Sequence, residues 1–155
     1  MRRLGSWVIV LMIVAAWAWF QWRDLQPREP KAIERVSGRF TVCGRGASSF
    51  GCVHDGDSFR LGKRKIRVQH IDAPEMAGQC EAERALALRS RDRLVALLNQ
   101  GPFTMETMSE RAVDQYGREL RVLSRTRGDK RELIGDVLVR EGLAHRYVNH
   151  KTGWC

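Results

Sequence analysis

Charge is absent from Leu4 to Trp22 and then returns every few residues to the end of the chain. That first run reads as one helix apolar on all sides, and its 19 residues rise about 28 Å, close to the hydrocarbon thickness of a bilayer. Arg2 and Arg3 precede it, while Trp17, Trp19 and Trp22 gather at its far end, where indoles favour the headgroup layer. Ala16-Trp17-Ala18 also supplies the small-residue spacing that a signal peptidase reads, so residues 1–22 are either a transmembrane anchor or a cleaved signal. Residues 23–37, with Pro27 and Pro30 among charges, read as a linker.

From residue 38 the pattern changes to short alternations. Arg39–Cys43 is β-prone, Asp55-Gly56 is a hairpin-type turn signal, and Ser58-Phe59-Arg60-Leu61 alternates polar and apolar positions. Lys65–Ile71 alternates cleanly, which predicts a half-buried strand, until Pro74 breaks the period. Glu81–Leu98 has leucines at 86, 94, 97 and 98 and a breaker at Gly101, which predicts a helix. Phe103–Met108 and Leu120–Leu123 predict two more strands, and Ile134, Val137 and Leu138 a second helix ended by Gly142. Five or so short strands with a helix before the last two predict a small α+β barrel over residues 38–155.

Composition narrows the class. The 155 residues carry 27 basic and 18 acidic side chains, a formal +9, and 43% hydrophobic residues, enough for a core and too many for a disordered basic tail. Without residues 1–22, which hold two arginines and no acid, the excess is still +7, an attraction for polyanions. Four cysteines allow three pairings, and the spacing favours Cys43–Cys52, closing a short loop, with Cys80–Cys155. Paired cysteines and an export segment together imply an oxidising compartment. The histidines at 54, 70, 145 and 150 lack the spacing of zinc ligands, and the arginines at 84, 89, 91 and 93 read as one solvated helix face.

Three short segments carry possible chemistry. Asp55-Gly56-Asp57 sets two carboxylates on one face of extended backbone, Asp72-Ala73-Pro74-Glu75 sets two more at a strand exit, and Tyr116-Gly117-Arg118 precedes another strand. Each alone is an ordinary turn. Together, acids clustered at strand ends beside arginines are what a hard cation and a phosphate require. One geometric conflict stands in the way: Arg67 and Asp72 are five apart, so a regular strand points them to opposite faces unless a bulge or the turn at Pro74 intervenes.

The order of four blocks resembles the staphylococcal-nuclease-like, or thermonuclease, family: Asp-Gly-Asp-Ser-Phe-Arg-Leu (55–61), Ile-Arg-Val-Gln-His-Ile-Asp-Ala-Pro-Glu (66–75), Asp-Gln-Tyr-Gly-Arg (114–118) and Leu-Val-Arg-Glu-Gly-Leu-Ala (138–144). The resemblance runs from Gly38 to Tyr147. It implies a five-stranded OB-type barrel with two to three packed helices. It implies Ca2+ held by Asp57, Asp72 and the Ala73 carbonyl, with Glu75 activating water and Arg67 and Arg118 gripping the phosphate. Tyr116 and Tyr147 would lie beside the nucleotide, and Asp55 would shape the turn.

The implied activity is hydrolysis of DNA and RNA with little sequence preference, leaving 3′-phosphate ends, by a monomer with no protein partner. The implied location is outside the cytoplasm, membrane-anchored or secreted. The alternatives are a non-catalytic OB-type module that binds single strands, and a tethered interaction domain.

Overall fold

The alternations become strands wherever their apolar positions face inward. The computed structural model describes residues 4–25, 32–108, 112–148 and 153–155; Arg2, Arg3, His150 and the expected linker residues 26–31 lie outside these. In chain order the elements are α1 (Leu4–Leu25), β1 (Ala32–Val36), β2 (Phe40–Val42), β3 (Gly51–Val53), β4 (Ser58–Leu61), β5 (Arg64–Val68), β6 (Ile71–Asp72) and α2 (Glu81–Leu98). There follow β7 (Phe103–Thr107), β8 (Glu119–Arg127), β9 (Lys130–Leu133), α3 (Ile134–Arg140) and β10 (His145–Arg146).

The strands run β1-β7-β8-β5-β4-β3-β2, with β9 added to β8, in one curled sheet that makes an OB-like half-barrel. The pairs β2–β3 and β5–β8 are parallel and the remaining pairs of that sheet antiparallel. A separate ribbon pairs β10 with β6. Among the described residues the α+β class and three helices agree with the sequence reading, but the strand count does not: ten strands stand where about five were expected. The additional ones have little periodicity to read. β1 buries only Val36 of its five residues, β9 is Lys-Arg-Glu-Leu with no fully buried position, and β10 is two residues long.

Two boundaries are corrected. The expected linker contributes its last part to the sheet, since Ala32–Val36 pairs with Phe103–Thr107. The expected strand through Ile71 stops at Val68, and a turn separates it from β6. The N-terminal stretch does form a helix, with every described side chain from 9 to 22 exposed. Among the described residues no helix is long and apolar enough to cross a membrane, so the expected span is not shown.

The core lies between the sheet and two helices. Phe40 sits at its centre, edge-on to Phe59 at 5.6 Å and to Phe50 at 5.4 Å, with Phe103 tilted against it at 5.9 Å. Leu94, Leu97 and Leu98 of α2 and Ile134, Val137 and Leu138 of α3 close over the sheet. The end of α2 is fastened twice. Asn99 accepts from the Phe40 N–H and donates to its carbonyl, both at 2.8 Å, tying an edge strand to the helix. Arg125, only 7% exposed, donates to the carbonyl of Leu97 in the last turn of α2 and to those of Gly101 and Pro102 in the loop beyond, pinning the helix end to β8.

Both expected disulfides are present, Cys43–Cys52 and Cys80–Cys155, the second joining positions 75 apart in sequence. Beside the second, Trp154 stacks on His145 with ring centroids 3.7 Å apart and planes 4° from parallel.

Glu119 ties three strands. It accepts two bonds from Arg64 of β5 (2.8 and 2.7 Å) and one from Arg121, while Arg64 also donates to Glu34 of β1. The bonds from Arg64 hold the Glu119 carboxyl below its ordinary 4.5. A depressed folded value contributes stability above the unfolded value that disappears as pH falls through the folded one. Glu119→Gln is therefore expected to cost about 1 kcal/mol at pH 7, limited by the partial exposure of Arg64. In urea melts the gap from the parent should close as the pH drops well below 4.5.

Candidate active site

The site begins at the turn between β3 and β4. Asp55 Oδ1 accepts the Asp57 N–H at 3.1 Å and the Ser58 hydroxyl at 2.7 Å, which coils the chain and aims Asp57 inward. Burial pushes the Asp55 carboxyl up, but the bonds from Ser58, His54 and Asp57 outweigh it and leave the carboxyl below its ordinary value. Gly56 is pressed so closely on α2 that a Cβ there would sit 1.9 Å from Ser90 Oγ and 2.7 Å from Ala73 Cβ. The turn, the helix and the exit of β6 thus meet at one point.

Asp57 is 4% exposed and uses both carboxylate oxygens. Oδ1 accepts from Arg67 Nη1 at 2.5 Å and Oδ2 from the Ala73 N–H at 3.0 Å. Its carbonyl accepts the Val68 N–H at 2.8 Å, so its position is fixed from backbone and side chain together. Burial pushes its carboxyl up to about 7, against the pull of Arg67.

The conflict between Arg67 and Asp72 is resolved by a turn, and not at Pro74. His70 adopts φ 67°, a left-handed conformation that histidine enters more readily than most residues. That reversal brings Asp72 back toward Arg67, whose Nη2 lies 3.5 Å from Asp72 Oδ1. Asp72 is itself 3% exposed and pairs in register with His145. One guanidinium therefore faces two buried carboxylates.

Arg118 reaches the same cavity from the turn before β8, the strand next to β5. Its Nε donates to Asp114 Oδ2 at 2.7 Å, and its N–H and that of Tyr116 both go to Asp114 Oδ1 at 2.9 Å. Its guanidinium carbon is 5.3 Å from the centre of the exposed Tyr116 ring. Tyr147 is placed by its N–H, which donates to the His70 carbonyl at 2.9 Å. The route to it from α3 is a Schellman ending, with Gly142 at φ 69° and the N–H groups of Gly142 and Leu143 on the carbonyls of Val139 and Leu138.

Asp57, Arg67, Ala73 and Glu75 line one cavity of about 930 Å³ together with Tyr116, Arg118 and Tyr147. Asp72 joins them through Arg67. Every side chain singled out for the site is thus gathered in one place. For Ala73 the bond seen is made by its N–H.

The sequence model of the staphylococcal nuclease homologue family matches residues 65–153, more than half of the 155-residue chain. The chain belongs to that family. No curated protein matches it at a significant level. The match begins after Asp57, so in this staphylococcal nuclease homologue it is geometry that joins Asp57 to the matched residues.

Asp114 escaped the sequence reading of this nuclease homologue, although it lies inside a quoted block. Its signal was available: an aspartate four before an arginine across Tyr116-Gly117 is the pattern of a side chain capping its own turn. Burial pushes the Asp114 carboxyl up, but the bonds from Arg118 and Tyr116 leave it below its ordinary value. Cys80, Glu83 and Cys155 also cluster, but the two sulfurs are bonded to each other and offer no thiolate.

Gly56→Ala is expected to cost about 1–3 kcal/mol, as overpacking does. It should also weaken any activity, because the displaced turn carries Asp57. Adding Ser90→Gly should restore part of the loss in denaturant melts, since Ser90 supplies the closest of the clashing atoms.

Proposed function

We propose that this family member is a calcium-dependent nuclease that hydrolyses DNA and RNA with little sequence preference and leaves 3′-phosphate ends. The observation that carries the reading is the meeting of two buried carboxylates, Asp57 and Asp72, on one guanidinium beside a cavity that Glu75 and Arg118 also line. A module that only binds nucleic acid gains nothing from burying two acids on one arginine, and burying charge is costly.

The donor set fits a hard cation. Around the cavity stand the carboxylates of Asp55, Asp57, Asp72, Glu75 and Asp114 against the guanidiniums of Arg67 and Arg118, an acidic spot in a basic protein. All the candidate ligands are oxygens, the preference of calcium, and since burial pushes the Asp57 carboxyl up to about 7, a bound cation would favour its charged form. Asp57, Asp72 and the Ala73 carbonyl would hold the ion, which when bound neutralises charge on the scissile phosphate.

The remaining roles fall to the chain itself. Arg67 and Arg118 present planar forks to the non-bridging oxygens, where charge builds as water attacks. Glu75, exposed and lining the cavity, accepts the proton of that water. The P–O5′ bond breaks, the 5′ oxygen gains a proton, and phosphate stays on the 3′ side. Tyr116 and Tyr147 offer ring faces to the neighbouring nucleotides. Contacts made to phosphate carry no sequence information, which accounts for indifferent substrate choice. We place the domain outside the cytoplasm, with residues 1–22 as its address, because two disulfides suit an oxidising compartment.

The test is incubation of the full chain with plasmid, single-stranded DNA and RNA, with calcium and with chelator. Cleavage in calcium alone is expected, with Glu75→Gln slower by about 10²-fold or more. Intact substrate with calcium, alongside retained binding, would favour the binding module instead.

A further inference from the structure

Glu75 lies on a loop, Pro74–Gln79, and loops are ordinarily the mobile part of a fold. This loop is wrapped around one buried carboxylate. Glu83, on the first turn of α2 and 6% exposed, accepts the Glu75 N–H through Oε1 at 3.3 Å and the Gln79 N–H through Oε2 at 2.8 Å. Gly78 leans so closely on it that a Cβ would be 2.5 Å from Glu83 Cδ. The Gly78 N–H returns to the Glu75 carbonyl at 2.9 Å, closing a small ring of backbone on the glutamate.

The location is telling. Cys80 is the N-cap of α2 and makes no side-chain capping bond, so Glu83 stands at the third helical position, where a capping-box glutamate would turn back to the cap N–H. It reaches past the cap, to the residue before it and to Glu75. Cys80 meanwhile is held by its bond to Cys155, whose sulfur lies 3.5 Å from Glu83 Oε2.

We propose that Glu83 is a positioning residue, which fixes the backbone of Glu75 and so sets the distance of that carboxylate from the attacked phosphate. The inference rests on the nuclease reading above, in which Glu75 takes the proton. Displacement of a general base lowers the rate of the chemical step more than the affinity for substrate.

Two measurements on the full chain test it together: amide hydrogen exchange, and kcat and KM on single-stranded DNA with calcium. Glu83→Ala is expected to speed exchange at Glu75 and Gln79 by about tenfold while amides in the middle of α2 keep their protection. Its kcat should fall about tenfold with KM within about twofold. Glu83→Gln, which keeps one acceptor oxygen, should fall between parent and Glu83→Ala in both, and it decides the matter if Glu83→Ala does not fold. Unchanged exchange at Glu75, or faster exchange with kcat unchanged, overturns the positioning role and leaves the nuclease reading intact. An inactive parent, or Glu75→Gln as fast as the parent, overturns the nuclease reading and this role with it, and the activities of those two proteins distinguish that failure from the first.

Discussion

The structure turns on a single buried carboxylate. Asp57 binds Arg67 with one oxygen and the Ala73 N–H with the other, and its carbonyl takes the Val68 N–H. Those three partners are the last two residues of β5 and the residue after β6, so one residue sets the path of the chain from position 67 to 73. An acid that is 4% exposed and lacks such partners would be driven to protonate or to unfold its surroundings. The fold therefore cannot relax around Asp57 without giving up the bonds that bring the candidate site together.

The large sheet supplies rigidity, yet few of the site's groups point from its regular middle. Asp57 comes from a turn, Asp72 from a two-residue strand, Glu75 from a loop, and Arg118 from the turn before β8. Each is fixed by a local device: the Asx turn at Asp55, the left-handed His70, the grip of Glu83 and the Asp114 cap. This division of labour, stiff scaffold and individually tethered tips, holds reacting groups precisely while leaving a cavity open between them.

Much of this was legible in the sequence. Elements with strong period and clear punctuation, such as Ser58–Leu61 and Glu81–Leu98, appear at their predicted bounds. The disulfide pairing was legible because one pair flanks a short loop and leaves the other no choice. β1 was not, because four of its five residues face solvent and only Val36 reports burial; its pairing with β7 is decided by residues some seventy positions away. The break at Gln69–His70 leaves only a faint mark: the period set by Ile66 and Val68 calls for an apolar residue at 70, where His70 stands, and Ile71 falls one position out of phase, a slip that the left-handed angle at His70 explains. The gathering of site residues was foreseen from block order, and Asp114 could have been added from its place four before Arg118; Glu83 could not, because it acts through backbone N–H groups that side-chain patterns do not display.

The stacking of Trp154 on His145 has a practical corollary. The other four tryptophans all fall within the first 22 residues, so in the domain proper a single indole emits. It lies flat on the ring of the residue that pairs with Asp72. Its fluorescence is thus an intrinsic optical gauge of whether the β6–β10 ribbon is seated, readable without any label and at the doorstep of the cavity.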